Sequence, residues 1–206
     1  MTGAVLTKAY AAPPIDRREI LRYMGAKGAD EALTTLLDEC ILEAESATSY
    51  KVCYAEFPVK DLGECLDLGF CKTASKSLFR TLRGCKSVIL FAATLGLSAD
   101  RLIMRYSSLN PSRALIFDAI FTERIEALCD AFCYEMKEKY SKENKEVLSR
   151  FSAGYGDLSL EVQREIFLAL SPEKRIGLSL NETLLMIPTK SVTALMGVKD
   201  FASCEK

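Results

Sequence analysis

Apolar positions along this chain follow two different rhythms. Leu33, Leu36, Leu37, Cys40, Ile41, Ala44 and Ala47 recur at helical spacing behind Asp30, which has the right chemistry for an N-cap. Phe117, Phe121, Ile125, Leu128, Phe132 and Met136 form a second and longer stripe. Asn110-Pro111 stands ahead of it, an asparagine for the cap and a proline for the first helical position. This longest helix is expected to fray in the charged run 137–145. By contrast, Ser87-Val88-Ile89-Leu90-Phe91-Ala92-Ala93 is continuously apolar after its first residue, partly β-branched, and bounded by Gly84 and Gly96. A run of that length and composition predicts a strand buried on both faces.

Shorter segments fill the intervals. Helices are predicted over 17–24, 73–82 and 98–106, the last capped by Ser98. Another runs to Leu170 with Asp157 or Ser159 as its cap. Residues 50–59 are rich in strand formers, with 65–70 as a candidate pairing partner. Strands over 183–187 and 192–198 are expected to make a hairpin around Pro188-Thr189-Lys190. Residues 1–14 read as a loose arm and 199–206 as a loose tail. Helix and strand are mixed without regular alternation, which favours an α+β fold over a doubly wound α/β one. We see no repeat and no linker, and treat 1–206 as a single domain.

Composition narrows the chemistry. The chain has 206 residues, 49% of them hydrophobic, enough for a real core. A formal net charge of −1 gives no nucleic-acid footprint. Histidine is absent, which excludes Ser-His-Asp and Cys-His catalysis, histidine-ligated zinc and an imidazole shuttle. The eight cysteines lie at 40, 53, 65, 71, 85, 129, 133 and 204, mostly inside apolar patterns, where free cysteine behaves as a small hydrophobe. With no signal segment, and no apolar run of more than about half the length that spans a bilayer, the expectation is a reduced, cytoplasmic protein without membrane contact. Asn181-Glu182-Thr183 is then not a glycosylation site.

Two segments carry candidate chemistry. Arg150-Phe151-Ser152-Ala153-Gly154-Tyr155-Gly156 is a charged residue leading into a glycine-punctuated loop with one exposed-type aromatic. Asn181-Glu182-Thr183-Leu184-Leu185-Met186-Ile187-Pro188 is a polar start followed by an apolar run that stops at proline. By residue type alone, the first fits either a ligand loop or an ordinary connection between helices. Glu126, with Asp130 one turn on, fits either a site or a solvated helix face. Ser179-x-x-Glu182 also fits a capping box, which would make 180–187 helical. Cys129 and Cys133 sit one turn apart, but packing explains them better than metal binding. Gly154-x-Gly156 lacks the third glycine and the preceding strand of a dinucleotide loop, and no phosphate-binding GxxxxGK[ST] is present. Ser152 and Thr94 have no base to activate them.

At this spacing the two segments resemble the S-adenosylmethionine-binding motif of the activation domain of cobalamin-dependent methionine synthase. The matching residues are Arg150, Gly154, Tyr155, Gly177, Leu180, Asn181, Glu182, Met186, Pro188, Ser191 and Val192. The likeness is dense from about 150 to 198, weaker over the preceding helix and thin before Cys85. It implies a twisted, mostly antiparallel sheet surrounded by helices. It implies that S-adenosylmethionine is held by Glu126, Arg150, Ser152, Gly154, Tyr155 and Glu182, with no catalytic residue and no metal ligand of the chain's own. Arg150 would take the carboxylate, the glycines would admit a close backbone approach, Tyr155 would lie by the sulfonium, and Glu126 would face the positive end.

The implied role is that of an accessory component, not an autonomous enzyme. The chain would reactivate a methionine synthase by presenting the methyl donor for reductive remethylation of cob(II)alamin. The cobalamin would be carried by a partner synthase lacking its own activation module, and an unidentified donor would bring the electron. The alternative within reach is an S-adenosylmethionine-binding accessory or sensor module for another corrinoid methyltransferase. An autonomous methyltransferase is disfavoured by the missing base. The chain departs from the family in ending soon after the expected hairpin, where the fused domain continues into a tyrosine-bearing segment.

Overall fold

The computed structural model describes residues 3–201. In chain order the elements are β1 (Leu6–Tyr10), α1 (Arg17–Tyr23), α2 (Glu31–Ala47), β2 (Tyr50–Pro58), β3 (Lys60–Asp61), β4 (Leu66–Asp67), β5 (Lys72–Thr73), α3 (Lys76–Thr81), β6 (Ser87–Thr94), α4 (Leu97–Leu109), α5 (Pro111–Ser141), β7 (Lys145–Val147), α6 (Val162–Leu170), α7 (Pro172–Ile176), β8 (Ser179–Leu180), β9 (Met186–Ile187) and β10 (Ser191–Asp200).

The continuous apolar run at 87–93 becomes β6, the middle strand of a five-stranded antiparallel sheet ordered β1-β2-β6-β10-β7. Its side chains alternate between two cores. Ile89, Phe91 and Ala93 face α1, α2, α4 and α5. Val88, Leu90 and Ala92 face the layer that holds α3, α6 and α7. Helices on both faces explain why the run has no polar interruption. The fold class is the expected α+β, a curled antiparallel sheet within helices.

The longest helix, α5, lies along the first face. Asn110 accepts a hydrogen bond from the Arg113 N–H at 3.2 Å, and Pro111 opens the first turn. Phe117, Phe121 and Phe132 are fully buried, each stabilising the fold by about 1.5–3 kcal/mol relative to an exposed ring. Phe132 meets Phe91 and Tyr54 of the sheet with ring centroids 4.8 and 5.1 Å apart, which joins helix and sheet through aromatic contacts.

Several local expectations are revised. Residues 6–10 are not loose; they pair with Tyr50–Tyr54 as the edge strand β1. Residues 65–70 do not pair with β2, whose partners are β1 and β6; Leu66–Asp67 sits in a separate small sheet with β3 and β5. The α5 helix does not fray at Lys137 but continues to Ser141, because Tyr140 is buried and donates to Glu56 Oε2 at 2.6 Å. Ser98 does not cap α4, which starts at Leu97 behind Gly96. The expected C-terminal hairpin is absent. Met186–Ile187 pairs with Ser179–Leu180, while β10 runs beside β6 over its length and beside β7 at its end. Residues 181–185 form a turn rather than a helix or strand, with Asn181 accepting from the Thr183 and Leu185 N–H groups. Of the expected tail, Lys199 and Asp200 belong to β10, and 202–206 lie outside the described residues.

Candidate functional site

The site is built where α5 passes the chain segment that follows β7. Arg150 Nη2 donates to Glu126 Oε2 at 2.5 Å and lies 3.3 Å from Asp130 Oδ1. Burial works against the charge on Arg150, but the Glu126 and Asp130 carboxylates beside it raise its pKa, so the guanidinium stays a cation. Cys129 beneath it is pushed well above the ordinary thiol range by burial, partly offset by Arg150, and therefore stays a neutral thiol. The pair is only partly covered, with 27% of the arginine side chain and 39% of the glutamate exposed. Such a pair adds little to stability, typically about 0–1 kcal/mol, and its members are open to a ligand.

The loop after Arg150 is fixed to the sheet edge. Phe151 exchanges two backbone hydrogen bonds with Leu195 of β10, at 2.8 and 2.9 Å. With Leu195 turned outward by both its N–H and C=O, Thr193, two residues back, presents its backbone to the same side. Half-buried Ser152 follows, then Gly154 at φ +85°, exposed Tyr155, and Gly156 at φ +59°. A Cβ on Gly154 would come 3.2 Å from Leu160 Cδ1. Both glycines hold left-handed backbone that other residues rarely adopt. Tyr155 stands edge-on to Phe151, with centroids 5.4 Å apart.

On the other side of Glu126 a groove of ≈ 510 Å³ runs between α5 and the start of the chain. Pro13, Pro14, Asp16, Glu19 and Tyr23 form one wall; Glu126, Ala127, Asp130 and Tyr134 form the other. The first wall is held by a buried ion pair. Arg124 donates from Nη1 to Pro13 O and from Nη2 to Pro14 O, at 2.5 and 2.7 Å, and engages both oxygens of Glu123. Glu123 in turn accepts the Asp16 N–H at 3.1 Å. The groove is therefore acidic: among the described residues Glu126 and Asp130 are paired with Arg150 and Glu19 with Arg22, while Asp16 has no cation partner. At the far end of the same α5 face, Lys190 reaches Thr122 Oγ1 at 2.9 Å and Asp118 Oδ1 at 2.7 Å, tying the turn before β10 to the helix.

Of the sequence-predicted residues, Arg150 and Glu126 are in direct contact, and Ser152, Gly154 and Tyr155 lie in the loop that Arg150 opens. Glu182 is on the exposed turn between β8 and β9, where its backbone carbonyl accepts from Arg164 at 3.5 Å; among the described residues no ion pair joins it to the other five. Sequence reasoning missed the Pro13–Asp16 wall and the Glu123–Arg124 pair. A signal for the pair was present. Arg124 falls in phase with Phe117, Phe121 and Leu128, a charge on the buried stripe that requires a partner. Among the described residues no group of three or more acidic, cysteine or histidine side chains is placed to hold a metal, and no helix is long and apolar enough to cross a membrane. The seven described cysteines are free thiols.

The curled antiparallel sheet with helices on both faces is a fold shared with a solved structure. That structure, described as the MetH reactivation domain bound to AdoHcy, superposes with a TM-score of 0.69 over 97% of this chain and 80% of that one, at 16% sequence identity. No protein-family model matches the chain, and no curated protein matches it. At that identity the likeness establishes the fold.

Proposed function

We propose that this chain binds S-adenosylmethionine at the Arg150–Glu126 site and presents it to a cobalamin-dependent methionine synthase for reductive remethylation. The observation that carries this reading is the pre-formed Arg150–Glu126 pair beside a backbone loop at a sheet edge. It is supported by a fold shared with a reactivation domain whose structure holds AdoHcy, the demethylated form of the same ligand.

The ligand's amino-acid end carries a carboxylate and an ammonium on neighbouring atoms. Such a zwitterion matches the two halves of the pair. Arg150 offers its fork to the carboxylate, and Glu126 and Asp130 lie on the side where positive charge is stabilised. The left-handed glycines remove the Cβ that would hold a ligand away from the loop's N–H and C=O groups. When bound, the donor supplies an electrophilic methyl group. The chain's own residues orient it, and nothing in the site acts as an acid, base or nucleophile. Cobalamin, its lower ligand and the electron come from the partner synthase and a separate reductant.

Reconstitution tests this. An inactive cob(II)alamin form of a methionine synthase lacking its activation module, supplied with reductant and S-adenosylmethionine, should regain the methylcobalamin absorbance only when this protein is added. Equal recovery with the protein omitted, or with Arg150→Ala in its place, overturns the assignment. Binding of the ligand with no effect on any synthase would move the reading to a sensor or to another corrinoid system.

A further inference from the structure

The loop that begins at Arg150 is anchored at a second point, in a part of the fold that sequence links to nothing in the site. Asp157, directly after Gly156, reaches across to the N-terminus of α3, about eighty residues earlier in the chain. Its Oδ1 accepts the Ser75 hydroxyl at 2.6 Å and the Ser77 N–H at 3.0 Å, and its Oδ2 accepts the Lys76 N–H at 2.7 Å. Ser75 completes the cap by accepting the Leu78 N–H at 3.1 Å. Carboxylate and hydroxyl together satisfy the three first-turn N–H groups, which have no partner within the helix. Ser75 is buried, and Leu78 and Leu82 of the same segment are in the core, so the anchor is packed into the fold. Asp157 does not cap α6, as its position in the sequence suggests; that helix starts without a side-chain cap.

We infer that Asp157 is a positioning residue for ligand binding at the Arg150 loop, holding Ser152–Gly156 in the form that meets the ligand. The inference rests on the proposed S-adenosylmethionine site. Phe151 is pinned to β10 by two hydrogen bonds and Asp157 is pinned to α3 by three, leaving five residues between two fixed points. Within that span Gly154 N–H donates to Leu158 O at 2.9 Å and Tyr155 N–H to Ser152 O at 3.2 Å. Gly156 packs so closely on Ser77 that a Cβ there would come 3.0 Å from Ser77 Oγ. A segment carrying two left-handed glycines is costly to order, and glycine loses the most freedom on ordering. Ordering it before the ligand arrives removes that cost from binding. The side-chain hydrogen bonds of Asp157 go to Ser75, Lys76 and Ser77, none of them in the proposed site, so its effect acts through the loop.

The amide of Asp157→Asn would set an N–H₂ against the Lys76 N–H while keeping the side chain's size and exposed position. Calorimetry with AdoHcy should show Asp157→Asn and Ser75→Ala each binding roughly tenfold more weakly than wild type, about the loss expected for a loop ordered only on binding. Amide hydrogen exchange of residues 152–156 in the free protein should speed up in both variants, while exchange in α5 stays unchanged. If both variants bind AdoHcy as tightly as wild type, the clamp serves folding alone and the inference falls, whatever their thermal stability. If faster loop exchange comes without weaker binding, it falls equally. Absence of AdoHcy binding by the wild-type protein would instead remove the site assignment on which it rests, a different and separable result.

Discussion

Arg150 and Glu126 are 24 residues apart in the chain and 2.5 Å apart in space, and each is more than a quarter exposed. A partly exposed pair contributes little to folding, so its contacts can be exchanged for those of a ligand at small cost.

Replacing Arg150 with alanine should therefore leave the protein folded and weaken S-adenosylmethionine and AdoHcy together. Loss of a charge-assisted contact corresponds to about 1.5–3 kcal/mol, or roughly a tenfold to hundredfold rise in Kd. Calorimetry on both ligands is the check, and equal affinity for wild type and variant would remove Arg150 from the site.

Gly154→Val should abolish binding for a different reason. A β-branched residue at φ +85° is strained, and its Cβ meets Leu160 at 3.2 Å. Because Gly154 is exposed, far-ultraviolet circular dichroism should stay near wild type while binding is lost. Normal binding would show that close backbone approach is not needed. Unfolding would show the glycine to be structural.

The Glu123–Arg124 pair behaves oppositely, because both side chains are almost fully buried. Glu123→Ala leaves the guanidinium uncompensated and should cost about 3–5 kcal/mol in denaturant unfolding. The double replacement Glu123→Leu with Arg124→Met should cost clearly less, since no charge is then stranded. A double variant as unstable as the single one would mean that the hydrogen bonds to Pro13 and Pro14 carry the effect.

Asp157 also predicts a pH dependence. Hydrogen bonds from Ser75, Ser77 and Lys76 hold its carboxyl well below the usual carboxylate range. A group whose folded pKa is depressed contributes stability above its unfolded value, near 3.9, and loses it as pH falls towards the folded value. The stability difference between wild type and Asp157→Asn should be constant from pH 7 to about pH 5 and shrink below about pH 4. Guanidinium unfolding across that range tests it, and a gap that widens on acidification would contradict the hydrogen-bond assignment.

What the sequence determined by itself is local. Asp30, with its apolar stripe at helical spacing, and Asn110-Pro111, with a longer stripe, determined α2 and α5, because caps and periodicity act within a few residues. The apolar run at 87–93 determined a strand buried on both faces, and Arg150 with its glycines marked the loop that meets Glu126. Tertiary structure decided the pairings. Leu6–Tyr10 looked loose because an edge strand needs only one partner and little burial, and that partner, Tyr50–Tyr54, is distant in the chain. β10 lies against β6 instead of folding onto β9, because burial on both faces of the central strand outweighs a short local hairpin. Asp157 was legible as a cap, but its helix was not. The nearest start, α6, is in the next segment, yet the unsatisfied N–H groups it serves belong to α3. Capping chemistry is readable from residue type, whereas the helix end it reaches depends on which elements the two cores bring together.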